Sequence, residues 1–215
     1  MRETQIRVAN VLLEIDAVKF TPQNPITFKS GIRSPVYVDN RTIPYWPRQW
    51  RTIITAFRLV VEAEGDPYEI IAGIETAGIP HSSALAYSMS RPSVFVRKQP
   101  KEHGTKSRIE GGDVAGKRVM LVEDLVTTGS SSLSGIHALR DSGAIAEDCI
   151  AIVSYGFKEA IESFTEAGVR LHTLTTFNII IEQAQSLNKF SPQDTAIIHD
   201  WLQDPHGWAG RYGFS

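Results

Sequence analysis

The 215-residue chain has a single cysteine, Cys149. One thiol permits no internal disulfide, so packing must hold the fold together, and a reducing, cytoplasmic compartment is expected. Cys149 precedes the apolar run Ile150-Ala151-Ile152-Val153 and reads as a small buried hydrophobe rather than a nucleophile. No apolar run approaches the roughly 20 residues that span a bilayer. Glu3, Glu14 and Asp16 interrupt the N-terminal segment, which therefore does not read as a signal peptide. Basic excess is lacking too. Lys and Arg number 22 against 24 Asp and Glu, a formal charge of −2, which argues against a general nucleic-acid binder. The pattern G-x-x-x-x-G-K-[ST] is absent, which removes a P-loop. No repeat, low-complexity tract or linker interrupts a composition of 42% hydrophobic and 21% charged residues. One domain of ordinary globular character, with a substantial core, is what these numbers allow.

Periodicity supplies the organisation. An amphipathic helix is expected over residues 3–18, and extended segments with a Ser30-Gly31 turn over 26–41. Trp46-Pro47 opens a helix whose apolar stripe is Trp50, Ile53, Ile54, Phe57, Val60 and Val61, with Gly65 at its end. Strands at 69–72, 93–96, 118–122, 150–153 and 171–174 then alternate with helices near 80–89, 131–141 and 158–167. Such alternation predicts an α/β fold, a mostly parallel sheet flanked by helices, with ligands at the carboxyl ends of the strands. Ser191-Pro192-Gln193-Asp194 reads as the start of a further helix. Trp201, Trp208 and Phe214 predict that this tail packs.

One stretch carries more chemistry than the rest. Val119-Met120-Leu121-Val122 runs into the acids Glu123 and Asp124, then Leu125, Val126, Thr127, Thr128, Gly129, Ser130, Ser131 and Ser132. This reads as a buried strand, a turn and a helix N-terminus. Backbone N–H groups and hydroxyls at such a turn cradle phosphate. Two acids at the carboxyl end of a strand suit a ribose diol or a metal. The plain alternative is a turn whose acids cap the helix.

Three other stretches stand out. Residues 97–112 hold five cations and His103 between two strands, with Gly104, Gly111 and Gly112 as hinge candidates. A cation-rich flap that closes over a polyanion is one reading, a solvated surface hairpin the other. Residues 26–41 include Lys29-Ser30-Gly31 and Tyr37-Val38. Ala72-Gly73-Ile74-Glu75-Thr76-Ala77-Gly78 is a Gly-bounded turn where backbone can approach a ligand, or a plain tight turn.

Taken in order, these four stretches resemble the orotate phosphoribosyltransferase family. Phe28-Lys29-Ser30-Gly31-Ile32-Arg33-Ser34-Pro35 matches its F-x-[LK]-SG-x-x-SP motif. Arg97-Lys98-Gln99-Pro100-Lys101-Glu102-His103-Gly104 matches its R-K-x-x-K-x-HG loop, and the hydroxyl-rich stretch matches the phosphoribosyl diphosphate (PRPP) loop of type I phosphoribosyltransferases. The resemblance covers roughly residues 5–175. It implies a five-stranded parallel sheet, a small hood built largely from 1–45, and a helical extension from about 177 to 215 within a single domain.

The function it implies is transfer of the phosphoribosyl group of PRPP to orotate, with Mg²⁺, in de novo pyrimidine synthesis. The resemblance further implies a homodimer whose loop reaches the partner's site. Catalytic roles would fall on Lys98, Lys101 and His103. PRPP would meet Arg97, Lys98, Lys101, His103, Thr76, Ala77, Glu123, Asp124, Leu125, Val126, Thr127, Thr128, Gly129, Ser130 and Ser131. Orotate would meet Lys29, Tyr37, Val38 and Thr127. No protein residue is assigned to the metal, which would be held mainly through PRPP. Two positions depart from the family pattern. Thr76-Ala77-Gly78 stands where many members have Tyr-Lys-Gly. Ser154-Tyr155-Gly156-Phe157 stands where many have the Asp-Arg whose Arg grips the orotate carboxylate, leaving Lys158 or a backbone group to replace it. The alternatives are transfer to another nucleobase, or a non-catalytic PRPP sensor, which would have no need of a Lys-rich flap.

Overall fold

A computed structural model describes residues 2–65, 67–99 and 107–214. The chain begins with helix α1 (Arg2–Glu14), followed by strands β1 (Val18–Phe20), β2 (Ile26–Thr27), β3 (Arg33–Ser34) and β4 (Val36–Val38). A 3₁₀ turn (Asn40–Tyr45) leads into α2 (Pro47–Ala63). Then come β5 (Ile70–Ile74), α3 (Gly78–Ser88), β6 (Ser93–Val96), β7 (Ile109–Glu110), β8 (Arg118–Val126), α4 (Ser130–Asp141), β9 (Ile145–Ser154), α5 (Lys158–Glu166) and β10 (Arg170–Thr176). Three helices end the fold: α6 (Phe177–Ser186), α7 (Pro192–Gln203) and α8 (Trp208–Arg211).

The main sheet has the order β10-β9-β8-β5-β6-β7. Its first five strands are parallel, and β7 adds an antiparallel edge of two residues, Phe95 opposite Glu110 and Val96 opposite Ile109. The expected five parallel strands are therefore joined by a sixth, from within the basic segment. Side chains alternate across the sheet as the pleat requires. Ile71, Met120, Val122, Ile150 and Ile152 face one buried cluster with α1, α2 and α6. Ile70, Ala72, Ile74, Val119, Leu121, Cys149 and Ala151 face the other, with α4 and α5. Burying both faces explains why these strands read as continuous apolar runs.

Local signals account for most element ends. Pro47 opens α2 and Gly65, with φ +81°, closes it. Ser191 and Asp194 form a reciprocal capping box at α7. Two expectations are corrected. Helix α1 stops at Glu14, not at 18, because the backbone reverses through Asp16 at φ 52° and Ala17 N–H donates to Leu12 C=O at 2.9 Å. Strand β8 does not end at Val122. Its pairing continues as Glu123 opposite Ala151, Leu125 opposite Val153 and Val126 opposite Ser154, so both acids lie inside the strand.

The N-terminal strands form two small antiparallel pairs, β1 with β4 and β2 with β3. They stand beside the carboxyl end of β8, where Asn40 Nδ2 donates to Asp124 C=O at 2.8 Å.

Candidate active site

The carboxyl end of β8 positions the principal residues. Thr127, Thr128 and Gly129 turn the backbone, and Gly129 has φ +85°, a left-handed conformation that favours glycine. A Cβ there would also come within 2.8 Å of the Phe164 ring. Gly129 is the N-cap of α4 and has no side chain to accept a hydrogen bond, so the first N–H groups of that helix are open to an anion. Thr128 and Ser130 hydroxyls lie 3.1 Å apart at the same turn. Residues 125–132 form one wall of a cavity of about 370 Å³. Phe28, Lys29 and Ser30 form the opposite wall. Lys29 and the hydroxyl loop, 98 positions apart at Thr127, thus share one cavity.

Glu123 is buried. Its carboxylate accepts from the Asp124 N–H at 3.1 Å and the Ser132 hydroxyl at 3.3 Å. Burial, and then the Asp124 charge beside it, push its carboxyl well above the usual range. Asp124 is also raised, chiefly by burial, while Arg41 opposes the shift. Arg41 is itself held by Asp39, at 2.7 Å from Nε and 2.9 Å from Nη2, and this pairing lowers Asp39. Hydrogen bonds within the site offset only part of the cost of burial, and two adjacent acids so placed can accept from hydroxyl donors.

The alternation of β4 separates the two residues expected near the base. Thr21 N–H donates to Pro35 C=O and Asp39 N–H to Ala17 C=O. Odd-numbered positions therefore turn their backbone groups to β1, as does Tyr37, paired with Lys19. Val38 turns its N–H and C=O the other way. Of the pair, Val38 is the one with backbone groups free of the β1 ladder.

Neighbouring strands place the remaining predicted residues. Thr76 and Ala77 follow β5, through a cis Glu75–Thr76 peptide, and no side chain caps the start of α3. At Gly73 and Gly78 the close approach that the structure shows is made by the protein itself. A Cβ at Gly73 would meet Ser82 Oγ at 2.2 Å, and one at Gly78 would meet Val122 C=O at 2.5 Å. These glycines let α3 press onto the sheet. Arg97 and Lys98 follow β6. The Lys98 N–H donates to Glu75 Oε2 at 2.8 Å, and Arg97 Nη1 lies 3.7 Å from Glu110. Neither lines the cavity that Lys29 shares with the loop. Lys101 and His103 fall outside the described residues.

After β9, in the stretch Ser154-Tyr155-Gly156-Phe157 that stands where many members have Asp-Arg, Tyr155 is buried and its hydroxyl lacks a partner among the described residues. Lys158 points elsewhere. It is exposed, pairs with Glu162 at 3.4 Å and lines a separate cavity with residues of the α7–α8 connection. Asn40 and Ser132 are site residues that the sequence reading misses. The signal for Ser132 is its place in the run after Gly129, whereas a lone Asn between Asp39 and Arg41 gives none.

Comparison with known proteins identifies the family. The phosphoribosyl transferase domain matches residues 53–167, just over half of the sequence. An orotate phosphoribosyltransferase of Staphylococcus saprophyticus is 38% identical over 194 residues, 90% of this protein and 96% of its own length. The chain belongs to the orotate phosphoribosyltransferase family. The orotate phosphoribosyltransferase of Coxiella burnetii is likewise 38% identical, over 94% of this protein and 96% of its own length. Among solved structures, the orotate phosphoribosyltransferase of Aeropyrum pernix superposes with a TM-score of 0.74 at 30% identity, covering 86% of this protein and 99% of that one.

Proposed function

We propose that this protein transfers the phosphoribosyl group of PRPP to orotate, releasing pyrophosphate and forming orotidine 5′-monophosphate. The observation that carries the reading is the cavity in which Lys29 faces the hydroxyl loop at the open N-terminus of α4. Family membership at 38% identity over nearly the full length of a relative supports the choice of reaction.

The chemistry follows from charge. Breaking the ribose C1–O bond develops positive charge on the sugar and negative charge on pyrophosphate, so stabilising the leaving group matters more than a strong base. In this reading Thr127, Thr128, Gly129, Ser130 and Ser131 hold the 5′-phosphate. Glu123 and Asp124 accept from the ribose hydroxyls. Thr76 and Ala77 offer N–H groups to pyrophosphate at the start of α3, and Arg97, Lys98, Lys101 and His103 supply the cations. Lys29 and the Val38 backbone meet orotate.

Mg²⁺ belongs to the same proposal. No group of three or more His, Cys, Asp or Glu suited to a metal occurs among the described residues. In this reading the ion would be held mainly by PRPP oxygens, with the adjacent carboxylates Glu123 and Asp124 as the acids of the site. When bound, the ion neutralises charge on pyrophosphate. We also place the enzyme in the cytoplasm, as a homodimer with shared sites. The single buried thiol supports the first, and no described helix is long and apolar enough to cross a membrane.

Pyrophosphate release, measured with orotate, uracil, hypoxanthine and adenine at equal PRPP, tests the reading. Orotate should be turned over fastest. Preference for any other base would overturn the substrate, and no turnover with any base, alongside tight PRPP binding, would favour a sensor.

A further inference from the structure

The tail contains one residue that reaches back to the site wall. Trp201, on α7, is fully buried, and its Nε1–H donates to the Arg33 backbone carbonyl at 2.9 Å. Arg33 closes the β2–β3 hairpin, whose turn is held by Phe28 N–H to Ile32 C=O and Gly31 N–H to Phe28 C=O, both at 2.9 Å. That turn presents Phe28, Lys29 and Ser30 to the cavity. The indole also packs edge-on against Phe28, with ring centroids 6.3 Å apart, and against Tyr155 and Phe157 at 5.1 and 5.3 Å. Phe28 in turn stacks on Tyr155 at 5.7 Å. Trp201 therefore grips the hairpin at its backbone and at Phe28, and grips the end of β9 through Tyr155.

A two-residue β-pair has little stability of its own. Its position over the hydroxyl loop must be set from outside, and α7 supplies the contact. We propose that Trp201 is a positioning residue for the nucleobase. It fixes the height of the Phe28-Lys29-Ser30 turn above the 125–132 wall, so the gap that receives the base is set by the C-terminal extension. Trp201 touches neither substrate in this scheme. PRPP phosphate binding, which depends on α4 and β8, is independent of it.

The proposal rests on the orotate reading only for the identity of the base, and the test separates the two. Trp201→Phe keeps an aromatic ring and removes the N–H. Hydrogen exchange, which needs no substrate, should show the amides of Phe28 and Gly31 exchanging about fivefold or more faster, as expected for one lost hydrogen bond. Amides of β5, β8 and β9 should be unchanged. In kinetics the KM for the base that wild type turns over should rise about fivefold, with the KM for PRPP unchanged. Faster hairpin exchange without a change in the base KM would reduce Trp201 to a structural role, and unchanged exchange would overturn the proposal outright. A parallel rise in both KM values would overturn it as well. If Trp201→Phe does not fold, the wild-type protein answers. The Trp201 indole N–H and the Gly31 amide should then open with equal free energies, and a slow indole beside a freely exchanging Gly31 contradicts the link. Wild type that ignores orotate but passes the exchange test would leave Trp201 as positioner and change the base.

Discussion

Asn40 Nδ2 holds the backbone carbonyl of Asp124 at 2.8 Å, across 84 positions of sequence. Asn40 is fully buried, so this bond is shielded from water. It couples the N-terminal strands to the acid expected to hold ribose. Asn40→Ala should lower stability by about 1–3 kcal/mol, because a buried carbonyl loses its donor. The KM for PRPP should rise in the same variant. Denaturant unfolding with steady-state kinetics checks both, and an unchanged KM would show that the bond steadies the fold without placing Asp124.

Asp124 itself is open to a sharper test. Asp124→Asn keeps the shape and removes the charge. PRPP use should weaken by about 1–3 kcal/mol, the worth of a charge-assisted contact. Relief of burial strain makes the variant at least as stable as wild type. Unaltered kinetics in the folded variant would remove Asp124 from the site.

The hydroxyl loop was legible because its residues are contiguous, and one turn followed by one helix N-terminus needs no tertiary knowledge. The β/α alternation was legible for a similar reason, since strands buried on both faces are continuous apolar runs. Three features were hidden. Glu123 and Asp124 looked like the end of β8, because polar residues rarely continue a buried strand; pairing with β9 carries the strand past them. Strand β1 has three residues, too few for a period to show, and begins where the first helix was expected to end. The contacts of Asn40 and Trp201 join segments far apart in sequence, and neither residue type forecasts its partner. Glycine at 73 and 78 does mark a close approach, but the approaching group is the protein's own α3 and β8.

Away from the site, Asp148 near the start of β9 receives Arg170 and His172, each at 2.8 Å. Burial alone would raise its carboxyl, yet the bonds from His172 and Arg170 hold it below the ordinary value. A lowered carboxyl contributes stability above its unfolded value, and that contribution fades as pH falls through the folded one. Asp148→Asn should therefore cost about 1–3 kcal/mol at neutral pH, for charge-assisted bonds lost at a buried carboxylate whose Arg170 partner is exposed. The gap to wild type should narrow below about pH 4, where the carboxyl also protonates when unfolded. Unfolding curves for both proteins across this range measure it. A constant gap would mean that the charge of Asp148 contributes nothing.

The proposed shared site predicts complementation. Lys101→Ala should lower turnover by about 2–4 kcal/mol of transition-state stabilisation and leave stability nearly unchanged. Lys101→Ala and Asp124→Asn subunits, mixed under conditions of dimer exchange, should pair at random. About half the dimers are then mixed, each with one intact site, so activity should recover to about a quarter of wild type. If each loop serves its own subunit, mixing restores nothing.

Helix α1 rests against β10 and α6. Lys189 reaches Asp16, and Trp201 reaches Arg33. Each contact joins a segment translated early to one translated late. On the ribosome, α2 is the early partner of α1, and the rest of the apolar face of Val8, Val11, Leu12 and Leu13 waits for β10 and α6. The nascent polypeptide can pair the parallel strands β5, β6, β8 and β9 before it can fully seat its own beginning. Synthesis thus creates a window in which the partly emerged fold is a natural client for chaperones, and the hairpin wall of the cavity gains its contact with Trp201 late.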